Sequence, residues 1–199
     1  MTTIVVVRKG GVAVMAADSL ITFGATRLQA SNNGRQQKIL TVGPEDGRSL
    51  IGICGSTAHH LAIASLMAKE EKEGRPADLS SRQAVFETFR RLHPILKDEY
   101  YLNPKEDDDD PYESTRFEAL IANASGIYSV HSYREAFDYE RYWAVGSGWR
   151  YALGALHACY DRLDSAEDIA RAGVLAGCEF DTSSAEPVVI HTLTLEKTA

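Results

Sequence analysis

The chain has 199 residues, of which 44% are hydrophobic, enough to enclose one sizeable core, so residues 1–199 are expected to form a single domain. A formal net charge of -7 argues against nucleic acid or an anionic membrane surface as partner, and no apolar run reaches the roughly 18 residues of a membrane span. Cys54, Cys159 and Cys178 are odd in number and lack metal-ligand spacing, which points to free buried thiols in the reducing cytoplasm rather than to a disulfide framework or a metal site.

After Met1-Thr2-Thr3 comes a β-branched run over 4–7, a strand signal too short for the apolar region of a signal peptide. Methionine before a small residue is readily removed during synthesis, so Met1 is expected to be lost. Thr2 would then carry a hydroxyl and a free amine on one residue. An α-amino group with a pKa of about 7.7 to 8 can take the hydroxyl proton, so no distant histidine is needed. Arg8-Lys9-Gly10-Gly11 predicts a tight turn with positive φ, leading into a second strand over 12–17 with Asp18-Ser19 at its end. A hairpin of that shape returns Asp18 to the side of Thr2. Taken alone, an aspartate at a strand end is a turn or cap residue.

Strands are predicted over 38–42 and 49–54, joined by the turn Gly43-Pro44-Glu45-Asp46-Gly47. Residues 58–68 are apolar almost all round and give way to Lys69-Glu70-Glu71-Lys72-Glu73 before Gly74, the pattern of a buried helix that emerges into solvent and stops at a glycine. A second helix fits 81–100, with Val85, Phe89, Leu92 and Leu96 on one stripe and Pro94 expected to kink it. The connection over 103–114 holds Asp107-Asp108-Asp109-Asp110-Pro111, a self-repelling solvated loop that lacks the glycine and spaced ligands of a calcium site. Strands over 117–123 and 127–131 turn at Ser125-Gly126, and another strand covers 141–145. A helix over 147–162 turns Trp149, Ala152, Leu153 and Leu156 inward. A capping pattern at Ser165 and Asp168 starts one running to about Gly177, and 187–195 closes as a strand. Strands, two helices, strands, two helices and a strand make an α+β fold, a four-layer αββα sandwich of two antiparallel sheets flanked by helix pairs.

Five short pieces occur in an order and rough spacing that resembles the proteasome β-subunit and HslV family of N-terminal-nucleophile hydrolases, in the form of a bacterial homologue. They are Thr2-Thr3-Ile4-Val5, Ala17-Asp18-Ser19 with Thr22, Gln37-Lys38-Ile39-Leu40-Thr41-Val42, Gly52-Ile53-Cys54-Gly55-Ser56-Thr57-Ala58 and Val145-Gly146-Ser147-Gly148. Each is unspecific alone, but in register they span most of the chain. The resemblance implies the same αββα fold and a threonine-type endopeptidase. It implies Thr2 as nucleophile, with Asp18 and Lys38 setting the charge around it; a second cation beside the amine disfavours its charged form and lowers its pKa. It implies that the Gly55 N–H faces the developing oxyanion, where a side chain would block the substrate. Ser147 matches the serine near the terminal amine and also stands where it would cap the next helix. Asp181 and Ser184 match the acid and serine that support the site from the far side.

Two departures stand out. Ala185-Glu186 occupies positions where the family usually has two glycines, and the loop between Asp18 and Lys38 is longer than in most relatives, with Asn32-Asn33-Gly34 as its turn. Ile21 and Ile53 match pocket positions, Thr57 its rim, and Thr22 a residue whose backbone pairs with an extended substrate strand. Ile53 shares a strand face with Gly55, so the pocket is expected to be apolar unless Arg27 or Arg35 of the long loop reaches its wall. His59-His60 lie near the rim and read as capping or solvated residues. No metal or organic cofactor is implied. The implied partners are unfolded polypeptide or peptide substrates, further copies of the chain in a stacked-ring homo-oligomer, and an ATP-dependent unfoldase. Two other readings remain: an N-terminal-nucleophile amidohydrolase acting on a small amide, and a catalytically silent ring scaffold, the latter disfavoured by the presence of Thr2, Asp18 and Lys38.

Overall fold

The computed structural model describes residues 2–33, 38–44, 47–104 and 112–196. Met1, Gly34, Arg35, Gln37, the centre of the 43–47 turn and the run Asp107 to Pro111 lie outside the described residues. Strands β1 (Ile4–Lys9) and β2 (Val12–Ala17) form the expected hairpin, with Lys9 opposite Val12. Gly10 and Gly11 between them have φ of 61° and 78°, the pair of positive values that matches a two-residue turn to the twist of its strands. A small ribbon of β3 (Ile21–Phe23) and β4 (Thr26–Leu28) and a 3-10 turn at Ala30–Asn32 occupy the segment read as a loop.

The chain continues through β5 (Ile39–Val42), β6 (Ser49–Cys54), α1 (Thr57–Lys72), α2 (Arg82–Asp98), β7 (Glu118–Asn123), β8 (Gly126–Val130), β9 (Ala136–Tyr139), β10 (Tyr142–Val145), α3 (Trp149–Tyr160), α4 (Ala166–Phe180) and β11 (Val189–Thr194). One sheet runs β10-β1-β2-β11 and the other β5-β6-β7-β8-β9, every neighbour antiparallel. Three cores separate the layers. Ile4, Val6 and Met15 meet Leu50, Leu120 and Ile127 between the sheets. Val5, Val7, Val14 and Ala16 pack on Leu156, Ile169 and Val174 of α3 and α4. Ile51, Ile53 and Ile121 pack on Ile63 and Leu66 of α1 and Phe89 and Leu92 of α2. The result is the αββα sandwich, and β1 is apolar at every residue from Ile4 to Val7 because both its faces are covered.

The stripe Val85, Phe89, Leu92 and Leu96 is buried as expected, and α2 continues through Pro94. Proline removes one bond to the carbonyl of Arg90, which lies on the exposed side where water can take its place. Helix α4 runs to Phe180, a turn beyond the glycine expected to end it, because Gly177 is used for close packing and not for termination. All three cysteines are free, but only Cys54 is buried, and Cys159 and Cys178 are partly covered. No helix among the described residues is long and apolar enough to cross a membrane.

Candidate active site

The β1–β2 register brings Asp18 beside Thr2 and Thr3, and its fully covered carboxylate becomes a hub. Oδ1 accepts from Lys38 Nζ at 2.7 Å, Thr3 N–H at 2.9 Å and the Thr2 hydroxyl at 3.3 Å. Oδ2 accepts from the N–H groups of Leu20 at 3.0 Å and Ala185 at 3.1 Å. A buried carboxylate is tolerated only when its lone pairs are met in this way. The Thr2 hydroxyl is the longest of the five contacts and so the least committed. Lys38 is itself mostly covered, its side chain 14% exposed. Burial holds its ammonium below the ordinary lysine pKa, against the opposing pull of Asp18.

A second chain of hydrogen bonds enters from α3 and α4. The Thr2 backbone nitrogen donates to Ser147 Oγ at 3.1 Å, and Ser147 Oγ donates to Asp181 Oδ2 at 2.6 Å. Ser184 Oγ donates to the same Oδ2 at 2.7 Å, which leaves Thr3 Oγ1 as donor in its 2.7 Å contact with Ser184. Asp181 is the residue that ends α4, so the helix terminus aims it. Helix α3 takes Gly148 as its N-cap with no side-chain bond, so Ser147 serves the Thr2 nitrogen and not the cap. The departure at Ala185-Glu186 leaves these contacts in place because Ala185 acts through its backbone, donating to Asp18 and accepting from Ser19 N–H at 3.0 Å.

Thr2 and Lys38 open into a cleft of about 220 Å³ lined also by Ile21, Thr22, Ile53, Cys54, Gly55 and Thr57. Every pocket position expected from the sequence is therefore on it. Arg27 is exposed on β4, opposite Thr22, and is not part of the lining. Gly55 has a φ of 138°, which glycine adopts without strain, and a Cβ there would lie 2.7 Å from His59 Nδ1. Cys54 is the one thiol on the lining, and burial, reinforced by the Glu118 charge, pushes its pKa up to about 12. Cys178, electrostatically coupled to Asp18 and Lys38, is raised to about 12 by burial as well. Both stay as neutral thiols, the unreactive form of cysteine.

Thr3, Leu20 N–H, Ala185 N–H and Phe23 contact this arrangement or line the cleft and were missed, while His60, read near the rim as a capping or solvated residue, is on the lining. Thr3 was the legible one, since it lies between Thr2 and the first residue of β1, and neighbours along an extended chain face opposite sides. It packs into a slot of glycines: a Cβ on Gly148 would overlap Thr3 Oγ1, and one on Gly177 would lie 2.6 Å from Thr3 Cγ2. Gly177→Ala is expected to cost about 1 to 3 kcal/mol by overpacking. That should appear as a melting temperature several degrees lower, together with reduced activity as Thr3 is displaced. Gly154→Ala in α3, where a Cβ meets nothing within 4 Å, should be neutral or gain up to about 1 kcal/mol of helix propensity. Equal melting temperatures for the two variants would remove the slot as a constraint.

No protein-family model matches the chain. Among solved structures, Thiobacillus denitrificans BPH shares 35% identity, covering 98% of this chain and 100% of its own with a TM-score of 0.90. The same protein in complex with epoxomicin matches over 98% and 99% with a TM-score of 0.88. Eukaryotic HslV from Trypanosoma brucei, 21% identical over 96% of this chain and 99% of its own, shares the fold at a TM-score of 0.70. With the hairpin, the αββα layers and these likenesses together, the chain belongs to the proteasome β-subunit and HslV family.

Proposed function

We propose that the chain is a threonine-type endopeptidase that hydrolyses peptide bonds through Thr2 once Met1 has been removed. The observation that carries this reading is the meeting, at one cleft, of the Thr2 hydroxyl, the buried Asp18–Lys38 pair and the Ser147 hydroxyl at the Thr2 nitrogen. With Met1 gone, that nitrogen is an amine. Thr2 Oγ1 attacks the substrate carbonyl carbon and its proton passes to the amine, while the oxyanion that forms accepts from the Gly55 N–H. Collapse breaks the C–N bond, and the amine returns the proton to the leaving nitrogen. Water, deprotonated by the same amine, then attacks the Thr2 ester and restores the hydroxyl. Lys38 keeps a positive charge near the amine, Asp18 holds Lys38 in place, and the Asp181–Ser184 pair orients Ser147 and Thr3. These steps call on no metal or cofactor.

By the same reading the cytoplasmic enzyme encloses its sites in a stacked ring of identical chains, takes unfolded polypeptide, and works with an ATP-dependent unfoldase. Epoxomicin, held by the Thiobacillus protein, is expected to bind here at Thr2. Intact mass tests the assignment: the purified protein should lack one methionine and gain an epoxomicin adduct, and Thr2→Ala should gain none. Retention of Met1 in an active protein, or an adduct on Thr2→Ala, would overturn it.

The lining of Ile21, Ile53 and Phe23 leads to a preference for cutting after apolar residues such as Leu or Tyr. A methylene more or less is worth only about 1 to 3 kcal/mol of discrimination, so that preference is broad. Desolvating an unpaired substrate charge costs more, which makes rejection of Asp and Lys the sharper expectation. Mass-spectrometric mapping of cuts in a denatured protein reads both; a dominant cut after Asp or Glu would refute the apolar pocket.

A further inference from the structure

One wall of the cleft is polar. Thr57 and His60 stand three residues apart in the first turns of α1, neighbours on one helical face, and both line the cleft. His59 serves a different purpose: its Nδ1 accepts from the Ser56 N–H at 3.1 Å, and its ring packs 5.7 Å from that of Phe117, behind Gly55. His60 has no hydrogen-bond or ion-pair partner among the described residues, so both ring nitrogens are open to a ligand. Burial alone lowers its pKa from the ordinary imidazole value, and a neutral ring presents one donor and one acceptor. Ile21, Ile53 and Phe23, the last 62% exposed, line the same cleft. Ser19, Thr22, Lys38 and Ser56 are on the same mixed lining, and apolar side chains beside a donor-acceptor ring suit a side chain that is apolar along its length and carries a hydroxyl at its tip.

We propose that His60 is a specificity-determining residue of this cleft, and that it selects peptides presenting tyrosine over those presenting phenylalanine or leucine. The inference rests on the peptide-cleft reading above and refines its broad apolar preference. The tyrosine ring lies against Ile53 and Phe23 while its hydroxyl pairs with the His60 imidazole. Phenylalanine fills the same space but leaves the imidazole, then cut off from water, without a partner.

Binding of two N-acetylated hexapeptides, identical except for Tyr or Phe at one position, to the Thr2→Ala protein tests this without turnover. The tyrosine peptide should bind roughly tenfold more tightly, the scale of one hydrogen bond. In Thr2→Ala/His60→Leu the ratio should fall to within about twofold, and Thr2→Ala/His60→Gln, which keeps a donor and an acceptor, should retain most of it. Equal binding of the two peptides with His60 present, or an unchanged ratio with leucine there, would overturn the proposal. A binding preference for tyrosine in a protein whose Thr2 form cuts neither peptide would overturn the hydrolase reading and leave this one standing.

Discussion

Thr2→Ala is expected to abolish peptide hydrolysis while the protein keeps its fold and assembly. The substitution removes the oxygen proposed to attack and the longest of five contacts on Asp18, at 3.3 Å, and leaves the other four in place. One hydrogen bond contributes only about 0.5 to 1.5 kcal/mol net, so melting and assembly should change little. Turnover of an unfolded protein substrate, measured beside the melting curve, separates the two effects. Peptidase activity equal to that of the unaltered protein would end the assignment at this residue.

Lys38→Ala should lower turnover by at least about 10²-fold, the low end of what one positioned electrostatic or proton-transfer group contributes. The stability effect should be far smaller, although breaking a buried ion pair often costs several kcal/mol. Here the abandoned carboxylate still accepts from three backbone N–H groups, a set strong enough to hold an ionised carboxylate by itself. The lowered pKa of Lys38 also means that burial costs the ammonium more than Asp18 returns. Lys38→Arg should not rescue activity, because a larger planar guanidinium must enter a site that leaves the lysine side chain only 14% exposed. Activity that needs the Lys38 cation should fade on the alkaline side below the ordinary lysine value of 10.5, where the unprotonated form appears. A fully active alanine variant would refute the role, and a fully active arginine variant would reduce it to charge alone.

The legible parts of this molecule were those in which side-chain identity and period agree. The Gly10-Gly11 turn fixed the register that returns Asp18 to Thr2, and the 85-89-92-96 stripe fixed the buried face of α2. The order of strands and helices was enough for the four layers. Three kinds of feature escaped. Strands β3 and β4 are three residues each with none of them buried, and β9 is a four-residue edge strand, so none has an apolar run to announce it. Leu20 and Ala185 serve Asp18 through backbone N–H groups, which any residue but proline supplies. Gly177 looked like a helix stop because its need for space arises from Thr3, 174 positions earlier in the chain and invisible to a local pattern.

Strand β1 lies between β2 and β10, and the shell around Asp18 closes only with Ala185, 167 residues further on. Thr2 therefore precedes most of its supports in chain order and meets them only after distant segments have been made. A nascent chain holds Thr2, Asp18 and Lys38 early, yet it lacks Ser147, Asp181 and Ser184 until most of the polypeptide has emerged. Pairings over such sequence distances form late in folding. Truncated chains ending before residue 181 should thus carry Thr2 without the shell that the proposed hydrolysis requires.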